Sequence, residues 1–211
     1  MTHNSLIESL AADLQPVRHR SIGREAALFG ILVTVEFLLV LAFLMRPDMR
    51  RVIHEPFMWW KMGSLLAIAI PSLWGALESF SPTGSARRAL RWASLLVGAA
   101  LFLGLSIGSG RDDASLIARL AWPNGLICAG SMIVLSIPVV VMLGILMKRA
   151  APTNRQQSGL AVGLAGATWG AFVYTLACRA DDPLYIAVWY LVGCAIVTAT
   201  ARLILPRMSR W

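Results

Sequence analysis

Long apolar stretches separated by short loops leave this chain few ways to fold. Six segments, at about 26–45, 58–77, 89–107, 126–147, 159–178 and 184–205, approach the length of a membrane-crossing helix. A hydrocarbon core of about 30 Å sets that length at roughly 20 residues. Of 211 residues, 57% are hydrophobic and 14% charged, whereas soluble domains average about 45–50% and about 25%. The apolar excess gathers into these runs, so the expected fold is all-α: a polytopic membrane protein built as a six-transmembrane-helix bundle. Pro71 and Pro138 fall inside the second and fourth segments, where a membrane bundle tolerates kinks. The short loops make residues 26–211 one transmembrane domain, preceded by a polar tail at 1–25. The first apolar run leads into Arg46-Pro47-Asp48 with no small-x-small cleavage site, so it reads as an uncleaved first span rather than a signal peptide.

The net charge of +8 does not point to direct nucleic-acid binding, because the basic residues flank the apolar runs instead of forming one stripe. They sort by side. Twelve (Arg18, Arg20, Arg24, Arg87, Arg88, Arg91, Lys148, Arg149, Arg155, Arg202, Arg207 and Arg210) share a side with both termini. The other seven (Arg46, Arg50, Arg51, Lys61, Arg111, Arg119 and Arg179) lie opposite, where Asp112, Asp113, Asp181 and Asp182 also fall. The positive-inside rule therefore places both termini in the cytoplasm. The first outer loop, with four basic residues, runs against that rule.

Within the tail, Ser5-Leu6-Ile7-Glu8 fits a capping box. Leu6, Leu10, Leu14 and Val17 recur at helical spacing with Ile7 beside them, and Pro16 limits the short amphipathic helix to about 6–15. A helix this short is marginal alone in water, so its apolar stripe requires a partner: a membrane surface or another protein's groove. Glu8 and Asp13, with no Lys or Arg between 6 and 15, favour a protein groove over anionic lipid.

No CxxC, HExxH, P-loop or GxGxxG motif occurs, so the common enzyme and cofactor motifs are missing and no cofactor is expected. The notable chemistry is a pair of cysteines. Cys128 near the start of the fourth segment and Cys178 at the end of the fifth come to similar depth at the extracytoplasmic face, where neighbouring helices can bring Cα atoms within the roughly 7 Å that a disulfide allows. Cys128, a little over one turn into its helix, is expected to be the first to react, because a helix N-terminus favours thiolate and a C-terminus disfavours it. Metal binding is an alternative, with His54, Asp181 or Asp182 as added ligands, although the spacing matches no zinc pattern. Cys194, mid-span in the sixth segment, reads as a packing residue. Glu36 lies near the middle of the first segment and reads as a carboxyl hydrogen-bonded inside the bundle more readily than as a proton relay. Gly159, Gly163, Gly166 and Gly170 form a small-residue face for close helix packing. Trp59, Trp60, Trp122, Tyr185, Trp189 and Tyr190 suit anchoring at the outer interface.

Several landmarks recur in order along the chain: Leu6-Ile7-Glu8-Ser9-Leu10 through Gln15-Pro16-Val17, Arg46-Pro47-Asp48, Lys61, Cys128, Pro138, Ala151-Pro152, the glycines at 159–170, Tyr174, Cys178, Asp182-Pro183, Trp189-Tyr190 and Arg210-Trp211. In these the chain resembles the six-span bacterial anti-sigma factors of the NrsF type. It departs from them at Pro82-Thr83-Gly84, where an adjacent Pro-Gly is expected, and at Ala201-Arg202, where a glycine is usual. The resemblance implies a non-enzymatic protein of the bacterial inner membrane. It implies too that a cytoplasmic tail, through Leu6, Ile7, Leu10, Leu14 and Val17, holds an extracytoplasmic-function sigma factor inactive, and that Cys128 and Cys178 sense oxidants or heavy metals. The rival readings are a membrane thiol oxidoreductase, which would normally need a second cysteine pair, and a small transporter or channel subunit using Glu36, which no internal repeat supports.

Overall fold

The computed structural model describes residues 22–81, 84–108, 119–120, 122–150 and 152–208. The tail residues Leu6, Ile7, Leu10, Leu14 and Val17 lie outside these, as do Arg111, Asp112 and Asp113. Among the described residues seven helices follow in order: α1 (Ile22–Phe43), the short α2 (Met49–Val52), α3 (Pro56–Glu78), α4 (Arg87–Gly108), α5 (Trp122–Arg149), α6 (Arg155–Thr175) and α7 (Pro183–Met208). The six long ones run from 21 to 28 residues and match the six apolar segments. Four of them (α1 from Gly23, α3, α5 and α7) are long and apolar enough to cross a membrane. The other two have the length but a more polar or smaller-residue composition. α4 opens on Arg87, Arg88 and Arg91, and α6 is rich in glycine and alanine.

Local chemistry sets the helix ends. Pro56 opens α3, where its missing N–H costs nothing. The Asn154 side chain accepts from the Gln157 N–H at 3.1 Å and caps α6. Asp182 does the same for α7: Oδ1 accepts from the Leu184 N–H at 2.9 Å, and Pro183 takes the first helical position. α5 starts at Trp122, several residues before the expected 126, because Pro123 sits in the first turn, where proline is tolerated. α6 stops at Thr175, so Cys178 lies in the following turn instead of on the helix.

α6 is the centre of the bundle, packed against α3, α5 and α7. Its low hydropathy follows from this: it faces other helices, and close approach favours small residues over large apolar ones. A Cβ at Gly166 would run into the Val140 side chain, and one at Gly170 into the Ser136 hydroxyl and the Met132 carbonyl of α5. The glycine face is therefore a packing surface. α1 lies at the periphery, with Leu28, Ile31, Val35 and Leu38 exposed. The buried residues form two clusters. One, near the α6–α7 turn, contains both Cys128 and Cys178 together with Met58, Phe172, Tyr185, Trp189 and Tyr190. The other, toward the far end, consists of Val139, Leu143, Leu146, Met147, Val162 and their neighbours.

Candidate functional site

The thiol pair is brought together by two different local structures. Cys128 is carried by α5, now well beyond the first turn of that helix. Cys178 is carried by the tight turn after α6, where the Ala177 and Cys178 N–H groups both donate to the Tyr174 carbonyl at 2.9 Å. Both cysteines are free thiols, 1% and 4% exposed, and they face each other within hydrogen-bonding reach. The longer α5 removes the ground for expecting Cys128 to react first, because the helix-terminus effect fades within one turn.

Around the sulfurs stand residues from three further helices. Tyr174 of α6 and Tyr185 of α7 contact Cys128. Tyr190 of α7 lies against Cys178, its hydroxyl buried without a completed hydrogen bond. Tyr185, Trp189 and Tyr190 are thus core residues, a correction to the interface-anchor reading. The Trp189 Nε1 donates to the Leu120 carbonyl at 2.8 Å. Trp59 and Trp122 are exposed. Lys61 of α3 is only 2% exposed. Its Nζ donates to the Ala180 carbonyl at 3.4 Å, lies 5.4 Å from the Tyr190 ring centroid and reaches Cys178. The backbone N–H of Ala180 also points to Cys178.

A second polar group clasps the same turn. Arg46 follows α1, and its backbone N–H donates to the Leu176 carbonyl at 3.0 Å. Its Nε and Nη2 grip both Asp48 carboxylate oxygens at 2.7 Å. Nη1 reaches Asp181 Oδ1 at 3.0 Å and the Cys178 carbonyl at 3.1 Å, while Nη2 reaches Asp181 Oδ2 at 3.2 Å. The Arg46 hydrogen bonds hold the Asp48 carboxyl down at about 2, and the two aspartates push the guanidinium further above its ordinary range. Arg119 forks onto Asp182 at 2.9 and 2.8 Å and lowers that carboxyl in the same way. Asp181 and Asp182 are therefore engaged by arginines. Among the described residues no cluster of three or more His, Cys, Asp or Glu is present. The donor set at the pair is two sulfurs without the added carboxylate or imidazole ligands considered from the sequence. The thiols can couple to each other, or hold a soft ion that accepts two sulfur ligands.

Away from this end, Glu36 is buried and its Oε2 accepts from the Trp169 Nε1 at 3.0 Å, as the hydrogen-bonded reading required. Cys194 is half-buried against the thiol cluster. In the sequence Lys61 and Arg46 enter as landmarks and as basic residues on one side, without a role at the thiols. The signal was present in both: a lysine inside an apolar run, and an arginine directly after one, each demands a partner.

The model for NrsF, described as a negative regulator of sigma F, matches residues 10–211. A probable anti-sigma-F factor NrsF of Azospira oryzae is 30% identical over 216 residues, covering 100% of both chains. The anti-sigma-F factor NrsF of Caulobacter vibrioides is 29% identical over 205 residues, covering 92% of each. No solved structure matches the chain.

Proposed function

The chain belongs to the NrsF family of negative regulators of sigma F, and from that premise we propose a membrane-bound anti-sigma factor switched by its thiol pair. In this reading all six long helices cross the bacterial inner membrane, with both termini in the cytoplasm and Cys128 and Cys178 near the opposite face. The tail at 1–25 sequesters a sigma factor of the extracytoplasmic-function class through Leu6, Ile7, Leu10, Leu14 and Val17. Joining or metallating the two sulfurs changes how the bundle holds the tail and releases the sigma factor. The observation that carries this reading is the contact between two free thiols from separate parts of the chain. The twelve-to-seven distribution of basic residues supports the orientation.

The test uses the full chain in inner-membrane vesicles with its cognate sigma factor. Sigma should co-purify with the reduced protein, be lost when residues 1–25 are removed, and be released by oxidant or by a soft metal ion. A Cys128→Ser, Cys178→Ser double variant should retain sigma under either stimulus. Failure of the reduced full chain to retain any sigma factor would sink the reading. Full release from the double variant would remove the cysteines from it.

A further inference from the structure

Lys61 is the group this end of the molecule does not otherwise explain. It is among the most completely buried side chains, yet among the described residues no carboxylate lies within ion-pair distance of its Nζ. Asp181 is the nearest acid to influence it, but that carboxylate is occupied by Arg46. A buried ammonium whose neighbours are one carbonyl and one aromatic face lacks a counter-charge, and such a charge is costly in low dielectric. Among the described residues Cys178 is the acid that hydrogen-bonds it directly, with Cys128 acting on it from farther off.

We propose that Cys178 is the sulfur that reacts first, as a thiolate held by Lys61, that Cys128 is the thiol that resolves it, and that small hydroperoxides are the substrate class. This rests on reading the pair as oxidant-responsive. The asymmetry comes from geometry. Lys61 and the Ala180 N–H both address Cys178, whereas Cys128 meets hydroxyls of Tyr174 and Tyr185. Among the described residues the charged and titratable groups facing Cys178 are Lys61 from α3, Cys128 from α5, Tyr174 from α6 and Tyr185 and Tyr190 from α7, with Arg46 and Asp181 against its own turn. The Arg46 charge is balanced by Asp48 and Asp181, and among the described residues Lys61 is the cation that reaches the Cys178 sulfur.

The size restriction follows from burial. Cys178 is 4% exposed and next in sequence to the exposed Arg179, a setting that favours a small oxidant over a bulky one. In the first step the Cys178 thiolate attacks the terminal oxygen of the hydroperoxide. An S–O bond forms, the O–O bond breaks, and the departing alkoxide or hydroxide takes from water the proton that Cys178 released on forming the thiolate, leaving as alcohol or water. In the second step the Cys128 sulfur attacks Cys178 Sγ. The S–S bond forms, the S–O bond breaks, and hydroxide leaves with the Cys128 proton as water. The pair loses two electrons and the hydroperoxide gains two.

The experiment follows site-resolved alkylation of the full-length protein in lipid nanodiscs, by mass spectrometry, across pH. Cys178 should alkylate with a lower pH midpoint than Cys128. Lys61→Met should raise the Cys178 midpoint by about two pH units, the size of effect a neighbouring lysine exerts on a thiol. Lys61→Arg should keep it low. An unmoved midpoint in Lys61→Met, or Cys128 titrating first, overturns the proposal. Should Lys61→Met fail to fold, the order of reaction is read with hydrogen peroxide and a sulfenic-acid trap: Cys128→Ser should accumulate the adduct on Cys178, and Cys178→Ser should accumulate little on Cys128. The reverse pattern overturns it. These measurements need no sigma factor, so loss of sigma control with this chemistry intact would count against the anti-sigma switch alone.

Discussion

The two ends of the bundle are built on opposite principles. At the far end, Val139, Leu143, Leu146, Met147 and Val162 pack together with alanines, and buried polar groups such as Ser158 turn back onto their own helix backbone. At the thiol end a buried lysine, a buried arginine, two sulfurs and three tyrosines crowd one turn. In a membrane, apolar packing between helices gains little over contact with lipid tails, so tight fit must hold the first end together. Directional polar contacts hold the second. Fit is insensitive to chemistry, whereas polar contacts change when a proton or a covalent bond changes. The contrast separates a frame from a reactive site within one fold.

The sharpest way to break that contrast is to damage each end and read the other. Leu143→Ala should destabilise the protein by about 2 kcal/mol, mostly through the cavity left behind, since Leu143 is fully buried. Unfolding in mixed micelles measures it, and peroxide-driven joining of Cys128 to Cys178 should proceed at the wild-type rate. A changed joining rate would mean the two ends are not independent. Next in size, Arg46→Gln should leave the far end intact and loosen the turn. The buried bond to the Cys178 carbonyl, worth about 1.5 kcal/mol as a charge-assisted contact, corresponds to roughly tenfold faster hydrogen exchange at the amides of Leu176, Ala177 and Cys178. Uniform acceleration across the bundle would instead make Arg46 part of the frame.

The smallest effect is expected from acid. Asp48 has its folded pKa lowered from 3.8 to about 2 by Arg46, and Asp182 is lowered by Arg119. A depressed folded value means the stabilisation is fully present above about pH 4 and is lost as pH falls toward 2. Both carboxylates are partly or fully solvated, so the loss is modest. Proton-dependent loosening should appear at the turn between pH 4 and 2, with the far-end amides still protected. Loss of both together would erase the distinction.

The sequence made the helices legible because long apolar runs have one stable outcome in lipid. It also brought the two cysteines to one depth, since helix length alone fixes depth. Helix neighbours and faces were not legible. Lys61, Arg46 and Tyr190 meet at Cys178 from three separate stretches of chain, and no local pattern encodes that meeting. The start of α5 was misplaced because Trp122-Pro123 reads equally as an interface anchor or as a first helical turn. Tyr185, Trp189 and Tyr190 were assigned to the interface because aromatics near a helix end fit a belt as well as they fit a core. The membrane character of α6 is weak for a related reason: its glycines and alanines serve contact with protein, and hydropathy scores contact with lipid.

The placement of α1 carries one more consequence. Among the described residues two polar contacts help to locate it: the Glu36 carboxyl on the Trp169 indole, and the Arg46 fork on the α6–α7 turn. Between and around them much of its surface is open, with Phe29 and Val33 leaning on the apolar cluster. Apolar contact resists rotation and a small axial slip less than hydrogen bonds do, so these two contacts act on α1 as screws on a rod. One screw is turned by the backbone of Cys178 itself, and the rod's other end continues into the first 21 residues of the chain.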